Sequence, residues 1–110
     1  DVAPVQCMAA TSLAHQDRRL DASLLFLQAS ERMPSCADSH GRWLARWKLP
    51  DMALQVTEER ASCLALKVRG RAYRQRNEPV EAAAAYALAS NVCDHDDPTL
   101  SAERAALIAE

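Results

Sequence analysis

The sequence predicts an all-α fold built from helical hairpins repeated along the chain and closed by a terminal helix. Three observations carry that expectation. The 110 residues include 22 alanines but only two glycines and five prolines, a helix-former's composition, poor in the turn residues and β-branched side chains that sheets require. Pro50, Pro79 and Pro98 each stand where a first helical position falls, and proline is tolerated there because that amide has no intrahelical partner. The chain also resembles itself at intervals near 30 and 60 residues. The length is that of one domain, residues 1–110, and 25% charged with 49% apolar residues fits a folded globular chain rather than a disordered one. The most apolar stretch, residues 82–89, is mainly alanine and far short of the roughly 18–20 residues of a membrane span.

Punctuating residues set the elements in order. A first helix, about residues 5–16, ends at Asp17-Arg18-Arg19, and a second, about 20–32, ends at Met33-Pro34-Ser35. A third, about 37–48, stops before Leu49-Pro50-Asp51, where Pro50 opens a fourth over 50–60. Only the polar stretch Thr57-Glu58-Glu59-Arg60 separates the fourth from the fifth, at 62–76, so one long helix over 50–76 remains an alternative. Asn77-Glu78-Pro79 starts a sixth helix over 79–92, and Pro98, after the acidic run at 94–97, starts a seventh over 98–109.

The repeat is legible residue by residue. Leu20 matches Val80, Asp21 matches Glu81, Ala22 matches Ala82, Phe26 matches Tyr86, Ala29 matches Ala89 and Ser30 matches Ser90, a constant offset of 60. The only glycines, Gly41 and Gly70, are 29 apart, and Ala10 precedes the first by 31. Glycine inside a helix costs about 1 kcal/mol against alanine, so small residues at these positions point to close helix approach. Twelve residues after each comes another alanine, Ala22, Ala53 and Ala82.

Together these residues resemble the tetratricopeptide-repeat (TPR) family. Leu66, Gly70, Tyr73, Ala82, Tyr86 and Ala89 follow its order of large, small, aromatic, small, aromatic, small. Ala10, Leu13, Ala22, Phe26, Ala29 and Pro34 give a first repeat, and Gly41, Leu44 and Ala53 a second, in which Thr57 and Arg60 stand where the family has an aromatic and a small residue. The resemblance implies three short repeats, about 6–34, 37–61 and 62–96, wound as a right-handed superhelix with residues 98–109 as a capping helix. A 30-residue hairpin cannot bury its apolar face alone, so stacking supplies the core. In such a hairpin the start of the first helix lies beside the end of the second. Cys7 with Cys36 and Cys63 with Cys93 mark those places, and of the three pairings this one is favoured. An even, spaced set of cysteines suggests disulfides and an oxidising compartment, periplasmic or secreted. Buried free thiols in a cytoplasmic protein are the alternative. Structural zinc is disfavoured because no two cysteines are close in sequence.

Charge is unevenly spread. Residues 40–76 carry nine cations against three acids, and residues 77–110 one against seven. The family's inner-groove positions, carried over one at a time, fall on Arg42, Arg46, Lys67, Arg71 and Arg74. What the resemblance implies is a basic concave groove holding an acidic peptide or protein segment through charge-assisted hydrogen bonds. A solvated basic face neutralised by the chain's own acidic tail is the competing reading. Trp43 and Trp47, four apart, would stack on a ligand or pack between hairpins. The net charge of −2 disfavours nucleic acid. The run Cys93-Asp94-His95-Asp96-Asp97 fails as a calcium loop, and Asp97 instead reads as the cap of the helix opened by Pro98. His15 and His40 stand alone near helix ends, and no nucleophile has a base beside it. The expectation is a non-catalytic interaction scaffold without cofactor or metal, by family habit in bacterial envelope assembly or secretion. The alternative is a structural oligomerisation or docking unit of a longer chain, because the chain opens at Asp1 without a methionine and its first hairpin has no helix before it.

Overall fold

The computed structural model describes residues 2–109. It contains seven helices and no strand among those residues: α1 (Ala3–His15), α2 (Arg19–Ser30), α3 (Cys36–Arg46), α4 (Pro50–Val56), α5 (Cys63–Gln75), α6 (Pro79–Ser90) and α7 (Pro98–Ala109). The molecule measures 39 × 24 × 22 Å. Consecutive helices pair as antiparallel hairpins, α1 with α2, α3 with α4 and α5 with α6, and α7 lies against α5 and α6.

The three hairpins turn in the same way. Asp17, Lys48 and Asn77 hold φ values of 59°, 63° and 59°, the left-handed conformation that ends a helix. In each turn the residue that follows donates its amide back five positions: Arg18 to Leu13, Leu49 to Leu44 and Glu78 to Tyr73. The left-handed residue itself donates to Ala14, Ala45 and Arg74 respectively. These are Schellman closures, which satisfy carbonyls that the helix end would otherwise leave unpaired. The next helix starts two residues later, at Pro50 and Pro79 in the second and third hairpins.

Inside each hairpin a small residue on the first helix faces a larger one 16 residues on. A Cβ at Gly70 would overlap the Tyr86 ring, and one at Gly41 would lie 2.5 Å from Thr57 Cγ2. Ala10 and Phe26, with the same separation, are both fully buried in one cluster. The helix axes approach closely because these positions lack side-chain bulk. The core has two parts. One runs from α1 through α4 and takes Val68 and Ala72 from α5; the other gathers Leu66, Ala82, Tyr86, Ala89 and Leu100. All four cysteines are bridged, Cys7 to Cys36 and Cys63 to Cys93, with Cα atoms 6.0 and 4.9 Å apart.

The fourth helix is shorter than expected. It ends at Val56, not near residue 60, and α5 begins at Cys63, so residues 50–76 are not one helix. Thr57, with the small side chain that replaces an aromatic, is fully buried and turns its hydroxyl back onto the Ala53 carbonyl at 2.7 Å. Arg60 then leaves the helical path to meet Asp38. Its Nε and Nη2 donate to the two carboxylate oxygens at 2.9 and 3.2 Å, and Ser62 Oγ donates a third bond at 2.7 Å. Asp38 is buried, and a buried carboxylate is tolerated only with such a full set of partners. Ser62 also caps α5 by accepting from the Ala65 amide.

Candidate functional site

The basic side chains predicted for a groove lie on two neighbouring helices. Helical spacing sets Lys67, Arg71 and Arg74 along one face of α5 and Arg42 and Arg46 along one face of α3, and α3 packs on α5. Between α3, α5 and α7 a cleft of about 170 Å³ opens. Ala45, Leu64 and Val68 form its apolar floor; Arg42, Lys67 and Arg71 supply its cationic wall; Thr99 and Glu103 of α7 line the other side.

Those five cations have separate fates. Lys67 Nζ lies 3.1 Å from Asp97 Oδ2, with both side chains mostly buried. Arg74 Nη1 lies 3.1 Å from Glu103 Oε2, which also accepts from the Tyr86 hydroxyl at 2.8 Å. Burial, then the Glu103 carboxylate, raises the Tyr86 pKa above the ordinary phenol range. Arg46 turns away from the cleft to lie over the Trp43 ring, 5.1 Å from its centroid. Arg42 and Arg71 remain on the cleft, with no anionic partner among the described residues. The acidic tail thus neutralises part of the basic face from within the chain, through Asp97 and Glu103 rather than through the whole run at 94–97.

Asp97 has a second task. Its Oδ1 accepts from the Leu100 amide at 2.9 Å, so it caps α7 as expected. That backbone bond first, and Lys67 next, hold its carboxyl below the usual range. Cys63, Cys93 and Asp97 bring their ligand atoms within 4.8 Å of one another, but both sulfurs are joined in the bridge and are not thiolates that can bind a metal.

The tryptophans pack between hairpins. His15 of α1 meets Trp43 edge-on at 4.8 Å, Trp47 lies 5.9 Å from Trp43, and Arg19 of α2 covers the Trp47 ring at 5.4 Å. Neither histidine of this region stands alone: His40 is buried, stacked on Phe26 at 5.1 Å, with Nε2 3.1 Å from Ser23 Oγ and Nδ1 unpartnered. Burial lowers its pKa from 6.5 to about 4. Sequence reasoning missed the Asp38–Arg60–Ser62 cluster and the Arg74–Glu103–Tyr86 network. The available signal for the first was an arginine at a position where the other two hairpins have alanine. No protein family's sequence profile, curated protein or solved structure matches the chain.

Proposed function

We propose that this chain is a non-catalytic, TPR-like binding module whose cleft between α3, α5 and α7 takes an acidic segment of a partner protein. The observation that carries the reading is the pair Arg42 and Arg71, lining one cleft without an anionic partner among the described residues. A carboxylate entering there would receive two guanidinium forks over an apolar floor, and Arg is suited to that role because its planar donors match a carboxylate bidentately. Lys67, Arg74 and Arg46 add field rather than free donors. Two disulfides support an extracytoplasmic setting, where such a module would act as a scaffold in envelope assembly or secretion.

The test uses a fluorescent peptide rich in Asp and Glu and its Asn/Gln counterpart, followed by anisotropy at low and high salt. The acidic peptide should bind, weaken with salt, and lose at least ~10-fold in affinity when Arg42→Ala and Arg71→Ala are combined, because a hydrogen bond to a charged group contributes about 1.5–3 kcal/mol. Equal binding of the two peptides, or an unchanged affinity in the double variant, would remove the cleft from the account.

A further inference from the structure

We propose that reductive opening of the Cys63–Cys93 bridge turns this corner of the fold into a zinc-class metal site, in which the two thiolates and the Asp97 carboxylate hold one divalent ion. The two cysteines are 30 residues apart in sequence, yet the third hairpin sets their Cα atoms 4.9 Å apart. Cys63 is the first residue of α5, Cys93 follows α6, and Asp97 immediately precedes α7, so three elements deliver one donor each to a single point. The three donor atoms lie within 4.8 Å of one another, and no other such trio comes together among the described residues. Donors held tetrahedrally by zinc, at about 2.3 Å for sulfur and 2.0–2.2 Å for oxygen, stand about 3.5–3.8 Å apart. Side-chain rotation spans the difference.

The Asp97 carboxylate has an oxygen to give. Its Oδ1 accepts from the Leu100 amide at 2.9 Å, while Oδ2 lies 3.5 Å from Cys63 Sγ and 3.1 Å from Lys67 Nζ. An ion taking Oδ2 therefore leaves the cap of α7 in place. Two thiolates and a carboxylate exceed a divalent ion by one negative charge, and the Lys67 ammonium supplies the positive charge that balances it. The thiolate pair selects a soft or borderline ion such as zinc over magnesium or calcium. All three ligands are partly open to solvent, which provides an entry path and leaves the fourth position to water. A dithiol reductant passes two electrons and two protons to the bridge and leaves as its own disulfide. The entering ion then releases both thiol protons to solvent. Once bound, the metal takes over the tie between the start of α5 and the segment after α6, and adds α7 to it. This site depends on the geometry of the corner alone, so it stands or falls independently of the acidic-segment reading.

The test opens the bridge with a limited amount of a phosphine reductant, removes the phosphine without air, and titrates the protein with Co²⁺ and then Zn²⁺. One Co²⁺ per chain should bind with a sulfur-to-cobalt charge-transfer band, which Zn²⁺ bleaches, and the bridged protein should give no band. Zn²⁺ should protect Cys63 and Cys93 from alkylation and raise the melting temperature of the opened protein, because an ion bound to the folded state alone stabilises it. Asp97→Asn, which keeps a side-chain oxygen to cap α7, should weaken Co²⁺ binding at least ~10-fold, the loss that removing even a group behind a ligand brings. An opened protein that takes no Co²⁺ overturns the proposal, as does a melting temperature that Zn²⁺ leaves unchanged. Equal binding by the Asp97→Asn variant, or zinc protection of Cys7 and Cys36 instead, overturns it as well.

Discussion

His40 shows how one side chain can set the pH response of a small fold. It is 1% exposed, lies against Phe26, and has one ring nitrogen without a partner, so the folded state holds it neutral and its pKa falls to about 4. The unfolded chain, with a pKa near 6.5 at this residue, binds the extra proton throughout the interval between the two values. Stability is therefore fully present above about pH 6.5 and declines as the pH drops towards 4, following the sign for a depressed histidine pKa. Urea unfolding at pH 7 and pH 4.5 should differ by about 2 kcal/mol from this group, and His40→Phe should flatten that difference. An equal slope in the variant would assign the effect to other groups. In the sequence His40 had no visible partner, because its burial depends on how α2 faces α3. The left-handed Lys48 was hidden for a related reason. Its neighbours Leu49 and Pro50 mark a turn, but nothing about lysine announces φ near +60°, whereas Asp17 and Asn77 are residue types that visit that region more readily.

At the scale of the element, the first helix of each hairpin is placed by its small residue and the second by what faces it. The repeat was legible because Phe26 and Tyr86 stand at equivalent distances from Ala10 and Gly70, and six of the seven helix spans follow from punctuators within a few residues. The fourth helix was not legible in full. Sequence showed that Thr57 and Arg60 depart from the pattern, but not that Arg60 abandons the helix to satisfy Asp38, since that partner lies 22 residues earlier. The same geometry yields a substitution whose sign opposes helix propensity. Gly70→Ala should favour the isolated helix by about 1 kcal/mol, yet its methyl group would enter the Tyr86 ring. That ring is fully buried and tied to Glu103 at 2.8 Å, so it has little room to yield. Overpacking of this kind costs about 1–3 kcal/mol. The net expectation is a melting temperature lower by several degrees, because about 1 kcal/mol moves the midpoint by roughly 4–8 °C at this size. Tyr86→Phe would separate the two causes, since it loses the bond to Glu103 without adding bulk at residue 70.

Across the whole molecule the two disulfides divide the work along the stack. Cys7–Cys36 ties the first hairpin to the start of α3, and Cys63–Cys93 joins the start of α5 to the segment after α6. Each closes a loop of about 30 residues, which constrains the unfolded chain by roughly 3–4 kcal/mol. Domains of this size have total stabilities of about 5–15 kcal/mol, so the stack leans heavily on its bridges. Denatured, unreduced protein should contain no titratable thiol, and full reduction should lower the melting temperature by well over 10 °C. Four thiols and an unchanged midpoint would overturn both the pairing and the oxidising compartment. The bridges should also open in order. Cys7, within α1, and Cys36, at the start of α3, are buried, while Cys63 and Cys93 are each partly open to solvent. Thiolate attack needs access to a sulfur, so mild reductant should break Cys63–Cys93 first. Timed alkylation followed by peptide mapping reads that order directly, and label appearing first on Cys7 and Cys36 would mean that the first hairpin, not the third, is the part of the stack that opens to solvent.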